Sequence, residues 1–289
     1  MITGSLIKSG FCANKSGINF REHTLKNKHD VWSSGDPYEY FMGRWSKLMA
    51  PIFLNWLDLP GNIKWLDLGC GTGALSESIY INCNPTYIYC VDPSEQFLAK
   101  SKIRIPDKAD FLLGTASDIP LPNASVDVIV SGLALNFFPD LDRAIAESKR
   151  VLKKGSILAA YVWDYNDRMD FLRIFWDAVC EVDLTAIDFD EGIRFPICNF
   201  ESLEELFIKS KLTDVEVSYL NIHTKFENID DYWAPFLGGQ GPAPTYLISQ
   251  PKDKQDKIRE MIIGKISFEK NGSFTLLARA LAIRGTNSQ

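Results

Sequence analysis

The chain has 289 residues, enough for one large α/β domain or for a core of about 150–200 residues carrying insertions. With 46% hydrophobic and 24% charged residues it has the balance of an ordinary globular protein, and its net charge of −6 argues against a nucleic-acid partner, which needs clustered Lys and Arg. Six cysteines (Cys12, Cys70, Cys83, Cys90, Cys180 and Cys198) include no C-x-x-C pair and form no ligand cluster with His23, His29 and His223, so reduced thiols, no metal and a cytoplasmic location are expected.

Residues 1–31 are polar, lack an apolar signal core and read as a disordered leader. From residue 63 to 163 the pattern alternates strand and helix. Strands are expected at 64–68, 86–91, 110–113, 126–130 and 156–162, and helices at 94–103 and 141–152, the latter from Leu141, Ala144, Ile145, Ser148 and Leu152 at helical spacing. Such alternation predicts a parallel sheet with helices on both faces. Beyond 163 the pattern changes. An aromatic-rich helix is expected at 168–183, an amphipathic helix at 200–210, mixed helix and loop at 229–265, and two last strands at 215–220 and 275–283. These would complete a seven-stranded sheet, leaving 166–199 and 222–272 as insertions that form a cap. No apolar run approaches the ~18 residues of a membrane span.

The most informative stretch is Trp65-Leu66-Asp67-Leu68-Gly69-Cys70-Gly71-Thr72-Gly73, a buried strand that opens into three alternate glycines before a helix. Glycine lets backbone approach a ligand closely. Turns of this kind, at the carboxyl ends of parallel strands, are where open α/β sheets bind nucleotide-like ligands. Taken alone, the turn also fits a ligand-free structural bend. Gly69-x-Gly71-x-x-Ala74, with Asp92 further on, fits the dinucleotide fingerprint of an NAD-type enzyme as well.

Further motifs separate these readings. They are Cys90-Val91-Asp92-Pro93-Ser94, Gly114-Thr115-Ala116-Ser117-Asp118-Ile119-Pro120-Leu121-Pro122, and Ser131-Gly132-Leu133-Ala134-Leu135-Asn136. With the glycine turn, this constellation resembles the class I S-adenosylmethionine-dependent methyltransferases, in particular the small-molecule (type 11) branch that includes quinone-biosynthesis enzymes. Upstream, Tyr38-Glu39-Tyr40-Phe41-Met42-Gly43-Arg44-Trp45-Ser46 resembles the N-terminal helix of the same branch. The resemblance implies a Rossmann-like, seven-stranded, mostly parallel sheet. It also implies three parts: the leader, a cofactor-binding core over 32–165, and the rest of the sheet with its cap over 166–289.

It assigns S-adenosylmethionine as cofactor and Arg44, Asp67, Gly69, Gly71, Gly73, Asp92, Ser117, Asp118, Ile119 and Ser131 as its binding residues. Asp92 would take the ribose hydroxyls, Asp118 the adenine amino group, Asp67 the α-ammonium and Arg44 the carboxylate. Methyl transfer is an in-line displacement at an activated sulfonium, so a base is required only where the acceptor must lose a proton first. Tyr38, Asp164 and His223 are the candidates for one. The acceptor is expected to be a small molecule, apolar or planar, met by Trp163, Tyr165, Trp233 and Phe236. The alternative is a binding protein that keeps the pocket without transferase chemistry.

Overall fold

Asp67 and its neighbours sit in the first strand of a single seven-stranded sheet of order β3-β2-β1-β4-β5-β7-β6. This is the arrangement in the computed structural model, which describes residues 39–105, 107–239 and 241–288. The leader therefore lies outside the described residues. A π-helical turn, Glu39–Gly43, runs directly into helix α1 (Arg44–Leu57). There follow β1 (Lys64–Leu68), α2 (Ala74–Asn82), β2 (Tyr87–Asp92), α3 (Glu95–Arg104), β3 (Ala109–Leu113), β4 (Val126–Gly132), α4 (Leu141–Val151) and β5 (Leu152–Trp163).

β1 through β5 run parallel to one another, which needs a crossover connection between successive strands. Their apolar runs are buried on both sides: Leu66, Ile88, Val128, Ile129 and Val130 are fully enclosed. Of the crossover helices, α3 and α4 carry side-chain N-caps, from Ser94 and Asp140. In α4, Ala144, Ile145, Ser148 and Val151 face the sheet, and Asp140 caps the helix by accepting from the Arg143 amide at 2.9 Å. Because β2 lies on one side of β1 and β4 on the other, the chain reverses direction across the sheet at β1/β4. That reversal opens a crevice beyond their carboxyl ends.

Two antiparallel pairs finish the sheet. β7 (Phe274–Thr286) inserts between β5 and β6 (Thr213–Phe226). Both of these strands run longer than the expected 215–220 and 275–283. β6 continues to Phe226 because Leu220, Ile222, Thr224 and Phe226 alternate inward, and buried Thr224 satisfies its hydroxyl on the Leu276 carbonyl at 3.1 Å. Residues 222–226 thus belong to the sheet and not to the second insertion. The first insertion holds α5 (Asp170–Val182), α6 (Glu191–Arg194) and α7 (Phe200–Lys209). The second holds α8 (Ile229–Trp233), α9 (Pro242–Ile248) and α10 (Lys252–Lys265).

The insertions meet the N-terminal element through aromatic rings. Phe236 stacks on Phe175 with centroids 4.5 Å apart, Phe41 meets Phe236 edge-on at 5.2 Å, and Phe226 stacks on Phe274 at 5.1 Å. Among the described residues no helix is long and apolar enough to cross a membrane.

Candidate active site

Three glycines end β1, and they do different things. Gly71 adopts φ +54 and faces open space, so a Cβ there would point into the crevice, in a conformation that side chains rarely adopt. At Gly73 a Cβ would lie 2.5 Å from the Ser101 hydroxyl, and at Gly69 2.6 Å from the Ala134 side chain. Those two positions are close-packing requirements of the scaffold, whereas Gly71 is one of access.

The crevice is a cavity of about 660 Å³ over the ends of β1, β2, β4 and β5. Two buried carboxylates stand in its wall. Asp92 accepts from the amides of Gly71 and Ser94, each at 2.9 Å, which fixes the carboxylate while leaving lone pairs free. Burial still outweighs these bonds and raises its pKa. Asp67, 1% exposed, accepts from the Ser76 hydroxyl at 2.5 Å through Oδ2, while its Oδ1 has no partner. Burial pushes this carboxyl up to about 7, with the Ser76 bond opposing and the charge of Asp92 adding to the rise. An orphaned carboxylate oxygen beside an open cavity is a site prepared for a donor group, since a buried acceptor without a partner costs stability.

The remaining wall is mostly apolar: Pro93, Phe97 and Ala116 at one end, Leu133, Phe137, Phe138 and Tyr161 at the other. Leu133 holds φ +60, a conformation uncommon outside glycine. Its amide donates to the Tyr161 carbonyl at 2.8 Å, which helps anchor that conformation.

Of the residues picked from sequence, Asp67, Gly69, Gly71, Asp92 and Ser117 line this cavity together. Gly73 adjoins them, as described above. Ser131 is buried with an unpartnered hydroxyl, but is not part of the wall. Asp118 and Ile119 lie just past the lining segment Gly114–Ser117. Asp118 is exposed and Ile119 buried, and the loop is braced by Arg143 on the Ser117 carbonyl and Arg150 on the Ile119 carbonyl.

The other expected positions fall elsewhere. Arg44 gives its guanidinium to Asp231 of α8 at 2.8 Å and lies over the Trp45 ring, so it braces the cap instead of the cavity. Asp164 is paired with Arg279 at 2.5 Å and does not line the cavity. His223 is exposed on the edge strand β6. Trp163 is 1% exposed and absent from the wall. Trp233 and Phe236 pack among other aromatics, because large rings between a sheet and its covering helices bury one another. Tyr165 reaches the cavity only indirectly: its ring touches Phe195 at 5.7 Å, which touches Phe137 at 5.0 Å. Tyr38 lies outside the described residues.

Reading the sequence missed Thr72, Ser46, Phe97, Phe138 and Tyr161 as wall residues. Thr72 sat in the motif already. Tyr161 was recoverable from register, since it pairs with Gly132, the small residue over which its hydroxyl lies.

Residues 66–160 match the family described as methyltransferase domain. A spinach (Spinacia oleracea) chloroplastic 2-methyl-6-phytyl-1,4-hydroquinone methyltransferase is 35% identical over 115 residues, 39% of this chain and 33% of that enzyme, so the match spans about a third of the relative's length. Among solved structures, a methyltransferase-like protein of Bacillus halodurans aligns with TM-score 0.55 and 15% identity over 83% of this chain and 99% of its own. Phosphoethanolamine N-methyltransferase 2 of Haemonchus contortus, solved with phosphomonomethylethanolamine and S-adenosylhomocysteine, aligns with TM-score 0.54 and 15% identity over 88% of this chain and 56% of its own. The glycine turn, the sheet order and the matched family together identify residues 66–160 as a class I S-adenosylmethionine-dependent methyltransferase domain.

Proposed function

We propose that the protein transfers a methyl group from S-adenosylmethionine to a small, uncharged, largely apolar acceptor. The observation that carries this reading is the pairing of two buried carboxylates, one orphaned, with a glycine turn that leaves the cavity open. The residues fit the cofactor. Asp92 has lone pairs for a diol, Asp67 Oδ1 awaits an ammonium, and Pro93, Phe97 and Ala116 offer an apolar wall to a purine. When bound, the cofactor supplies a methyl group already activated by its sulfonium.

The chain's own part is to orient the reactants and exclude water. Leu133, Phe137, Phe138 and Tyr161 form an apolar acceptor end, and among the described residues the ionisable groups of the lining are Asp67, Asp92, Cys70 and Tyr161. An acceptor bearing a carboxylate or phosphate at its reacting end would find no cation among the described residues of the lining. A neutral reacting group is the better match. The named activity of the spinach relative, on a phytyl hydroquinone, supports an apolar aromatic acceptor for this chain too.

Titration calorimetry with S-adenosylhomocysteine tests the cofactor half. Product formation from labelled S-adenosylmethionine across neutral phenols, quinols and amines tests the acceptor half. Cofactor binding with no turnover on any acceptor would favour the pocket-binding alternative.

A further inference from the structure

The glycine turn is the part of the cavity with the least intrinsic order, because glycines flank Thr72 on both sides. Thr72 is 3% exposed, and its hydroxyl donates to the carboxylate of Glu39, thirty-three residues earlier in the π-helical turn. The same carboxylate meets Arg104 of α3 at 2.8 Å and Lys47 of α1 at 3.0 Å, and Arg104 meets Glu77 of α2 at 2.8 Å. One acid therefore ties the N-terminal element, the glycine turn and both neighbouring helices together.

Gly43, four residues on, makes room for it: a Cβ there would come within 2.9 Å of the Glu39 carboxyl carbon. Burial alone would raise the Glu39 pKa, but the Thr72 bond and the cations Lys47 and Arg104 hold it below its usual value, so it accepts as a carboxylate. Single π-turns inside helices are frequent at functional sites, and here the turn aims Glu39 at the loop.

We infer that Glu39 is a positioning residue for cofactor binding: through Thr72 it holds the glycine turn in its binding shape, and Gly43 is glycine to leave that carboxylate in place. The inference rests on the cofactor reading above.

Calorimetric affinity for S-adenosylhomocysteine, with thermal melting alongside, tests it on the full chain. Glu39→Gln and Thr72→Val should each weaken binding about fivefold to tenfold, the range expected for losing a charged hydrogen bond partly compensated by water. The double variant should be no weaker than the weaker single, because both remove one interaction. Gly43→Ala should weaken binding without lowering the melting temperature, since alanine favours helix and only the carboxylate is displaced. A merely structural role would show the reverse, with the melting temperature of Glu39→Gln falling and affinity unchanged. Should Glu39→Gln not fold, Thr72→Val and Gly43→Ala decide. Thr72→Val binding within twofold of the parent, or losses that multiply in the double variant, would overturn the inference alone. No binding by the parent protein would overturn the cofactor reading itself, and this inference with it.

Discussion

The cavity floor and the aromatic cluster are built from similarly buried residues but differ in how complete they are. At the floor, Asp67 Oδ1 is unpartnered, Leu133 holds a left-handed backbone, and Gly71 faces empty space. In the cluster, rings fill one another's faces, and the main polar groups close on partners: Tyr232 donates to the Phe171 carbonyl at 2.5 Å, Asp190 meets Arg173, and Glu191 accepts from Trp176. Burial by itself therefore does not mark a site. A buried group without a partner marks it only where it borders the cavity, as Asp67 does and as Ser131 and the Arg173 Nε of the cluster do not, because there a ligand can supply the missing partner.

This contrast can be broken most severely at Phe236, 1% exposed and stacked on Phe175. Phe236→Ala should cost about 3–5 kcal/mol of stability through the cavity it leaves. In the molecules still folded, affinity for S-adenosylhomocysteine should stay within about twofold of the parent. Chemical denaturation together with calorimetry reads both quantities. If affinity fell while stability held, the cluster would be part of the site.

Asp92→Ala should behave in the opposite way. It removes an ionised acceptor of ligand hydrogen bonds, and binding should weaken by about 2–3 kcal/mol. Stability should change less than affinity. The raised pKa of Asp92 says that its charge is costly where it stands, so deleting the charge offsets the loss of an acceptor for the Gly71 and Ser94 amides. Equal losses in binding and stability would reduce Asp92 to a turn-holding residue.

These two regions were not equally legible in the sequence. The sheet was, because the strands of the first half are short and mostly apolar and the helix before β5 shows a clear helical period. So were the glycine turn and the acids at the ends of β1 and β2, because strand ends fix where such residues point. Trp233, Phe236 and Arg44 misled for a common reason. Aromatic and basic residues look alike in a sequence whether they face a cavity or a partner, and only packing separates them. Arg44 meets Asp231 187 positions later, a pairing no local pattern announces. Leu133 gave no signal at all, since leucine rarely takes a left-handed conformation and composition cannot flag it.

Acidity offers a finer probe of the same contrast. The Asp67 pKa is about 7 in the fold against 3.8 for an unperturbed carboxyl. A raised carboxyl means that the folded state keeps a proton that the unfolded chain releases. Its stabilising contribution is then complete below about pH 4 and is lost as pH rises through 7. Capture of an ammonium needs the ionised form, so affinity should run the other way and be about tenfold weaker at pH 6 than at pH 8. Asp67→Asn should flatten the affinity profile. Glu191, also raised to about 7 by burial, would still give the variant a falling stability with pH. A parent affinity that does not change between pH 6 and 8 would remove Asp67 from the ligand.

The smallest expected effect is the one that separates the two regions most finely. Arg44 sits at the junction, on the first turn of α1, yet its Nη1 is 2.8 Å from Asp231 and its guanidinium lies 4.2 Å from the Trp45 ring and 4.9 Å from that of Phe226. Its side chain is 25% exposed, so solvent screens the pair and its worth is about 1 kcal/mol or less. Arg44→Met keeps the apolar stem against the rings while removing the charge, leaving Asp231 with the Glu227 amide at 3.1 Å as its remaining partner. Stability should fall by about 1 kcal/mol or less, and S-adenosylhomocysteine affinity should stay within about twofold. A tenfold loss of affinity would reverse the assignment. It would mean that Arg44 leaves Asp231 for the ligand's carboxylate on binding, and that the N-terminal helix belongs to the incomplete region instead of the filled one. An ion pair made in the free protein would then be no proof that a residue stands outside the site.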